Sequence, residues 1–201
     1  MQGKLILSNL QRAGVGAFFR PRDVRPLGVT HYALQRMVAE GRVERVGAGL
    51  YRMVEVEVTA METIAMVASA VPHAIVCLLS ALRIHEIGTQ SPHQVWLAID
   101  RKDRRPARLP AATRIVRFSG QMLTYGVVTQ PIQGVSVRIT TPARTVVDCF
   151  RYRNKIGLDV AMEALRDAVR SRKAMVAEID RAAEVCRIRT VIGPYLEALS
   201  A

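Results

Sequence analysis

Glycine and threonine cut the first 53 residues into short pieces in an order that few folds accommodate. Gly28-Val29-Thr30 precedes one helical pattern, Gly41 follows it, and Gly47-Ala48-Gly49 separates two runs of alternating residues. A threonine just before a helix can accept a first-turn amide, and a glycine just after it can take the left-handed conformation that ends the helix. On these rules residues 4–12 form a first helix, and Phe19-Arg20-Pro21-Arg22-Asp23-Val24-Arg25-Pro26-Leu27-Gly28 is compatible with one short helix ended by Gly28. Thr30 then caps a third helix over residues 31–40, stopped by Gly41. The runs 42–46 and 50–53 alternate like two short strands around the glycines, as a small hairpin does.

In the third helix Ala33, Leu34, Met37 and Val38 share one face, which leaves His31, Tyr32, Gln35 and Arg36 pointing outward. These are groove-reading residue types. Arginine can pair with guanine N7 and O6, glutamine with adenine N6 and N7, and the first turn of such a helix, here Thr30 and His31, approaches base edges. Arg22 ahead of the turn, and Arg45 and Arg52 on the hairpin, suit phosphates. The whole chain agrees: 29 Lys and Arg against 17 Asp and Glu give a formal charge of +12, which points to a polyanionic partner.

The remainder has a different texture. Residues 53–58 alternate apolar and acidic residues, as an exposed strand or linker would, and Thr59-Ala60-Met61-Glu62 is a capping box opening a helix to about Ala70. A domain at 1–55 followed by a mixed α/β domain at 59–201 is the expected organisation. Residues 63–82 carry no formal charge, yet Pro72-His73 and Ser80 interrupt them and alanine outweighs leucine, so they read as a buried helix, a turn and a second buried element. Strands are predicted at 93–99, 114–118, 125–129 and 135–140, the last two joined through Gly134. Thr141 stands as N-cap and Pro142 at the first helical position of a helix over 143–150. A longer helix at 158–170 places Leu158, Ala161, Met162, Leu165, Ala168 and Val169 on one stripe, and 176–199 is helical with Pro194 starting or kinking its last piece. With half of the residues apolar and 23% charged, the 201-residue chain can bury its cores.

At these residues the chain resembles a winged helix-turn-helix, and more narrowly the N-terminal domain of AbiEi-type antitoxins. Gly28-Val29-Thr30 with its helix, then Gly41-Arg42-Val43-Glu44-Arg45-Val46 and Gly49-Leu50-Tyr51-Arg52, look like that family's wing signature; Ala48 stands at a wing-tip place that is often basic in relatives. Leu79-Ser80-Ala81-Leu82 through His85, Thr89-Gln90-Ser91-Pro92 with Val95-Trp96-Leu97-Ala98-Ile99, and Thr141-Pro142-Ala143-Arg144-Thr145-Val146-Val147-Asp148 are similar to successive blocks of its C-terminal domain. The resemblance implies a type IV toxin-antitoxin system. In it the winged domain binds repeats in the operon's own promoter and represses it, while the C-terminal domain counters a nucleotidyltransferase-like toxin without a stable complex.

The residues leave two other readings open. One is a winged-helix regulator with no antitoxin role. The other is a metal-dependent nuclease, because Asp100-Arg101-Lys102 follows a predicted strand with the acid-x-lysine form in which the acid holds Mg²⁺ and the lysine steadies an oxygen. No acid closely precedes it, and a charged loop over 101–108, itself able to touch DNA, is the simpler account. Arg144 and Asp148, four apart, suit an ion pair. His31, His73, His85 and His93 match no metal-ligand spacing, and no nucleophile elbow or phosphate loop occurs, so neither enzyme nor cofactor is expected. Cys77, Cys149 and Cys186 lie far apart in apolar neighbourhoods and read as reduced core thiols. With no signal-peptide pattern at the first residues, a cytoplasmic address and no membrane contact are expected.

Overall fold

A computed structural model describes residues 2–47, 49–54 and 59–200. Two compact units emerge: Met1–Pro72 with Pro106–Ala111 and Gln130–Val137, and His73–Arg105 with Ala112–Thr129 and Arg138–Ala201.

In the first unit, α1 (Gln2–Arg12) is followed by a two-residue strand β1 (Phe18–Phe19), then α2 (Pro21–Val24), a 3₁₀ turn at Arg25–Leu27, and α3 (His31–Ala39). The hairpin β2 (Val43–Gly47) and β3 (Leu50–Met53) follows, and α4 (Ala60–Ala70) ends the run. Phe19 therefore belongs to a strand and not to the short helix expected from the sequence, which is reduced to Pro21–Val24 and the 3₁₀ turn. Gly28 ends that turn at φ 82°, where a side chain would be strained. The strands are ordered β1-β3-β2, with Phe18 opposite Arg52, Phe19 opposite Tyr51, and Glu44 opposite Arg52. One face of the sheet, with Phe19, Val43, Tyr51 and Met53, closes on Leu7 and Leu10 of α1 and Leu34 and Met37 of α3. Phe18 and Leu50 on the other face meet Met66 of α4. Alternation along each strand gives the sheet these two covered faces. The Thr59–Glu62 capping box starts α4 as its sequence predicts. Residues 55–58, the expected linker, and Ala48 at the wing tip lie outside the described residues.

A five-stranded mixed sheet is ordered β6-β5-β4-β8-β7; residues 130–137 of its β7–β8 hairpin fall in the first unit and the rest in the second. The strands are β4 (Ile75–Val76), β5 (Val95–Asp100), β6 (Thr113–Phe118), β7 (Val127–Ile132) and β8 (Val135–Thr140). β5 runs antiparallel to β4 and parallel to β6, and β4 is parallel to β8. Gln133 and Gly134, at φ 49° and 75°, make the two-residue turn between β7 and β8. α5 (Leu78–Ile84), α6 (Pro142–Arg151), α7 (Arg153–Ile156), α8 (Leu158–Arg170), α9 (Val176–Val185) and α10 (Arg189–Ser200) complete the unit. Trp96, Phe118, Phe150, Leu165, Ile179 and Ile192 share its core with all three cysteines, which are free thiols.

Several sequence expectations shift here. The chargeless stretch 63–82 divides into the end of α4, β4 and the start of α5, and among the described residues no helix is long and apolar enough to cross a membrane. β7 begins at Val127 and extends to Ile132, beyond the 125–129 expected. Thr141 precedes α6, but its side chain makes no cap bond; Pro142 and the bonds of the Thr141 carbonyl to the Thr145 amide and hydroxyl, each 2.8 Å, fix that helix start. α8 buries Val160, Ala161, Ala164, Leu165 and Ala168, whereas Leu158 is exposed. The buried row is thus turned from the predicted stripe, and its small side chains face α6. Pro194 lies inside α10.

The Arg144–Asp148 pair is more than a surface ion pair. Both side chains are fully buried, with Nε 3.0 Å from Oδ1. Arg144 also donates to the carbonyls of Tyr125 and Met122 and lies over the Phe118 ring, 5.0 Å from its centroid. Desolvation pushes the Asp148 carboxyl up to about 6 against the pull of Arg144.

Candidate nucleic-acid interface

α3 is positioned from both ends. The Thr30 hydroxyl accepts the Ala33 amide at 3.1 Å, the Glu40 amide closes on the Arg36 carbonyl, and Gly41 follows at φ 67°. Leu34 and Met37 anchor the helix to the core, so the opposite face is uncovered within the first unit. Tyr32 lies near the middle of that face, 77% exposed, with His31 and Gln35 to one side and Arg36 to the other. The side chains of His31, Tyr32 and Gln35 make no hydrogen bond among the described residues, which leaves their polar atoms for a ligand.

Arg36 is different. Its Nε donates to Glu40 Oε1 at 2.9 Å, and the other carboxylate oxygen of Glu40 accepts Arg42 Nε at 3.0 Å. One acid therefore holds two guanidinium groups at the end of the helix, and the Arg36 hydrogen bond leads the effects that lower the Glu40 pKa. The Nη groups of Arg36 have no partner among the described residues, so its fork is held by one edge and open at the other. Neither Glu40 nor Arg42 stood among the expected site residues. The i,i+4 spacing of Arg36 and Glu40 is the signal for the first, and Arg42 shows only through the fold.

The cations assigned to phosphates are distributed unevenly. Arg22 projects from α2 with its side chain 77% exposed, 3.6 Å from the carboxylate of Asp23. Arg25, on the 3₁₀ turn before Gly28, is exposed as well and was not singled out by the sequence. Arg45 is exposed on β2, opposite Tyr51. Arg52 lies on the central strand, its Nη1 held by Glu44 across the ladder at 3.1 Å and its side chain 25% exposed. By alternation it shares the sheet face of Phe18 and Leu50, away from α3. The structure thus gathers Thr30, His31, Tyr32, Gln35 and Arg36 on one helix and sets Arg52 on the opposite face of the sheet.

In the second unit, Asp100 is the last residue of β5, one beyond the expected strand end, and its Oδ1 accepts the Lys102 amide at 2.9 Å and closes a tight turn. Among the described residues no group of three or more metal-ligating side chains forms.

The fold is therefore a winged helix-turn-helix followed by a mixed α/β unit. Residues 7–54, spanning the helices, the turn and the hairpin, match the family model of the transcriptional regulators described as AbiEi antitoxin. A search of curated proteins finds no match to the chain.

Proposed function

We propose that the protein is a DNA-binding autorepressor and antitoxin of a type IV toxin-antitoxin system, cytoplasmic, acting on its own promoter through inverted repeats. Its functional counterpart would be a nucleotidyltransferase-like toxin, countered without a stable complex. The observation that carries the DNA reading is the uncovered polar face of α3, whose residues have base-reading chemistry and sit on a helix capped by Thr30 and anchored by Leu34 and Met37. Thr30 and His31 at the first turn, with Tyr32, Gln35 and Arg36, would meet the major groove. Arg22 and Arg45 would hold phosphates beside it, and Arg52, engaged with Glu44, would contribute chiefly by ordering the hairpin. The match over 7–54 supports the regulator half of this reading. The antitoxin half rests on the resemblance of the later blocks, with residues 1–55 as the DNA-binding domain and 59–201 as the antitoxin domain.

The test is fluorescence anisotropy on the chain's own promoter duplex against a scrambled duplex, for wild type and Gln35→Ala/Arg36→Ala. A promoter preference that the double variant loses, with salt-dependent background binding retained, is the expected result. Equal binding of wild type to both duplexes would sink the reading. Co-expression with the neighbouring toxin gene, scored by growth, separates an antitoxin from a plain regulator.

A further inference from the structure

The second unit carries a concentration of positive charge that the winged domain does not explain. Arg101, Lys102, Arg104 and Arg105 follow one another around the turn after β5, all exposed, and none forms an ion pair among the described residues. Elsewhere in the unit some cations are neutralised: exposed Arg170 by Asp167 and Arg189 by Asp180, and partly buried Lys173 by Glu86.

A run of cations is ordinarily a solvated, mobile face. This one is built. The Arg101 amide donates to the Phe118 carbonyl at 2.9 Å, the Asp103 amide to the Asp100 carbonyl at 3.1 Å, and the Lys102 amide to the Asp100 carboxylate. Arg117, from the adjacent strand β6, donates through one nitrogen to the carbonyls of Asp100 and Asp103, at 2.8 and 2.7 Å. Its own carbonyl is held by the Tyr152 hydroxyl at 2.9 Å. The two acids of the turn are also engaged, Asp100 with the Lys102 amide and Asp103 with His73 Nε2 at 3.5 Å. A hydrogen-bonded turn thus presents Arg101 and Lys102, with Arg104 and Arg105 exposed directly after it, and no carboxylate among the described residues pairs with any of the four.

We propose that the 100–105 turn is a phosphate-gripping surface for duplex DNA, separate from α3, with Arg101, Lys102, Arg104 and Arg105 as its contacts. The choice of a duplex follows from the surroundings. Single-strand binders add exposed aromatic platforms on which bases stack, whereas here Phe118 is buried, Trp96 is buried with Arg114 over its ring, and Tyr152 is tied by its hydroxyl. Clustered exposed cations without a stacking surface suit the backbone of a double helix, which carries charge at close and regular intervals. Such a grip reads no sequence, so it would add affinity and salt dependence without changing base preference.

The experiment uses the full chain and a fluorescein-labelled duplex of random sequence across a salt series. The variant Arg101→Ala/Lys102→Ala/Arg104→Ala/Arg105→Ala is compared with a charge-matched control, Arg166→Ala/Arg172→Ala/Arg181→Ala/Arg187→Ala. Each phosphate contact contributes about 0.9 to the slope of log affinity against log salt, so the turn variant should be shallower by about 2 to 3.6 while the control changes far less. Arg101→Lys/Arg104→Lys/Arg105→Lys should retain the wild-type slope, because a phosphate contact needs the charge and not the planar fork. An unchanged slope in the turn variant, or an equal change in the control, overturns the proposal. So does preferential loss of binding to a single-stranded probe, which would make the partner a different nucleic acid. The promoter preference read by Gln35 and Arg36 is scored separately, so the α3 reading can stand or fall independently.

Discussion

Glu40 shows how one side chain changes the meaning of others. Between Arg36 and Arg42 it fixes the direction of a guanidinium whose open edge is complementary to guanine O6 and N7. Glu40→Ala should leave the helix folded and reduce promoter preference by roughly tenfold, since a bidentate base contact discriminates by about 1–3 kcal/mol. Competition anisotropy against single-base-pair promoter variants would show the loss confined to one position of the half-site. Arg144 and Asp148 are a second case. Removing either partner strands a buried charge, so Asp148→Ala or Arg144→Ala should cost about 3–5 kcal/mol in denaturant unfolding. The pH dependence has a definite sign. Burial raises the Asp148 pKa from 3.8 in the unfolded chain to about 6 in the fold, so between these values the native state holds the extra proton. Stability from this group is present at the acid end and is lost as pH rises through about 6. The carboxyl of Glu163, lowered chiefly by the Thr89 hydroxyl, acts oppositely and loses its contribution as pH falls through the acid range. The stability of Asp148→Asn relative to wild type should therefore shift in favour of the variant from pH 4 to pH 7 in urea titrations, because only wild type loses this contribution; a constant difference would contradict the assignment.

Helix starts that look alike in the sequence differ in what holds them. Thr30 and Thr59 both accept an N3 amide through their hydroxyls, whereas Thr141 does not. Thr30→Ala and Thr59→Ala should each cost about 1 kcal/mol in chemical denaturation. At Thr141 the loss of a cap bond should be absent, because Pro142 and the backbone bonds fix the start of α6. Nearby, Gly126 sits at φ 61°, and a Cβ there would come within 2.8 Å of Arg144 Cβ; Gly126→Ala should lower the melting temperature by crowding the buried arginine. The role of Arg52 likewise depends on its strand. Its strand reads as half of an isolated hairpin, yet Phe18 and Phe19 add a third strand and make β3 central. Two residues are too short to declare a strand by alternation, so the sheet face on which Arg52 lies was not legible beforehand.

For the whole molecule, a charge of +12 predicts binding to any duplex that weakens steeply with salt, measurable as a linear fall of log affinity with log salt. Local chemistry in the sequence determined much: the Thr30 and Thr59 caps, the glycine stop at Gly41, the outward set on α3 and most strands of the second unit all follow from neighbours a few residues apart. Helical spacing also indicated the Arg144–Asp148 pair, though not its burial. Other features depend on partners distant in the chain. The side of α8 that is buried was set by close approach to α6, and β7 took its length from pairing with β8. The basic run after β5 became a pinned turn only because Arg117 reaches it from the neighbouring strand. Sequence periodicity records which residues can share a face; which face meets protein and which meets solvent is fixed when the elements pack.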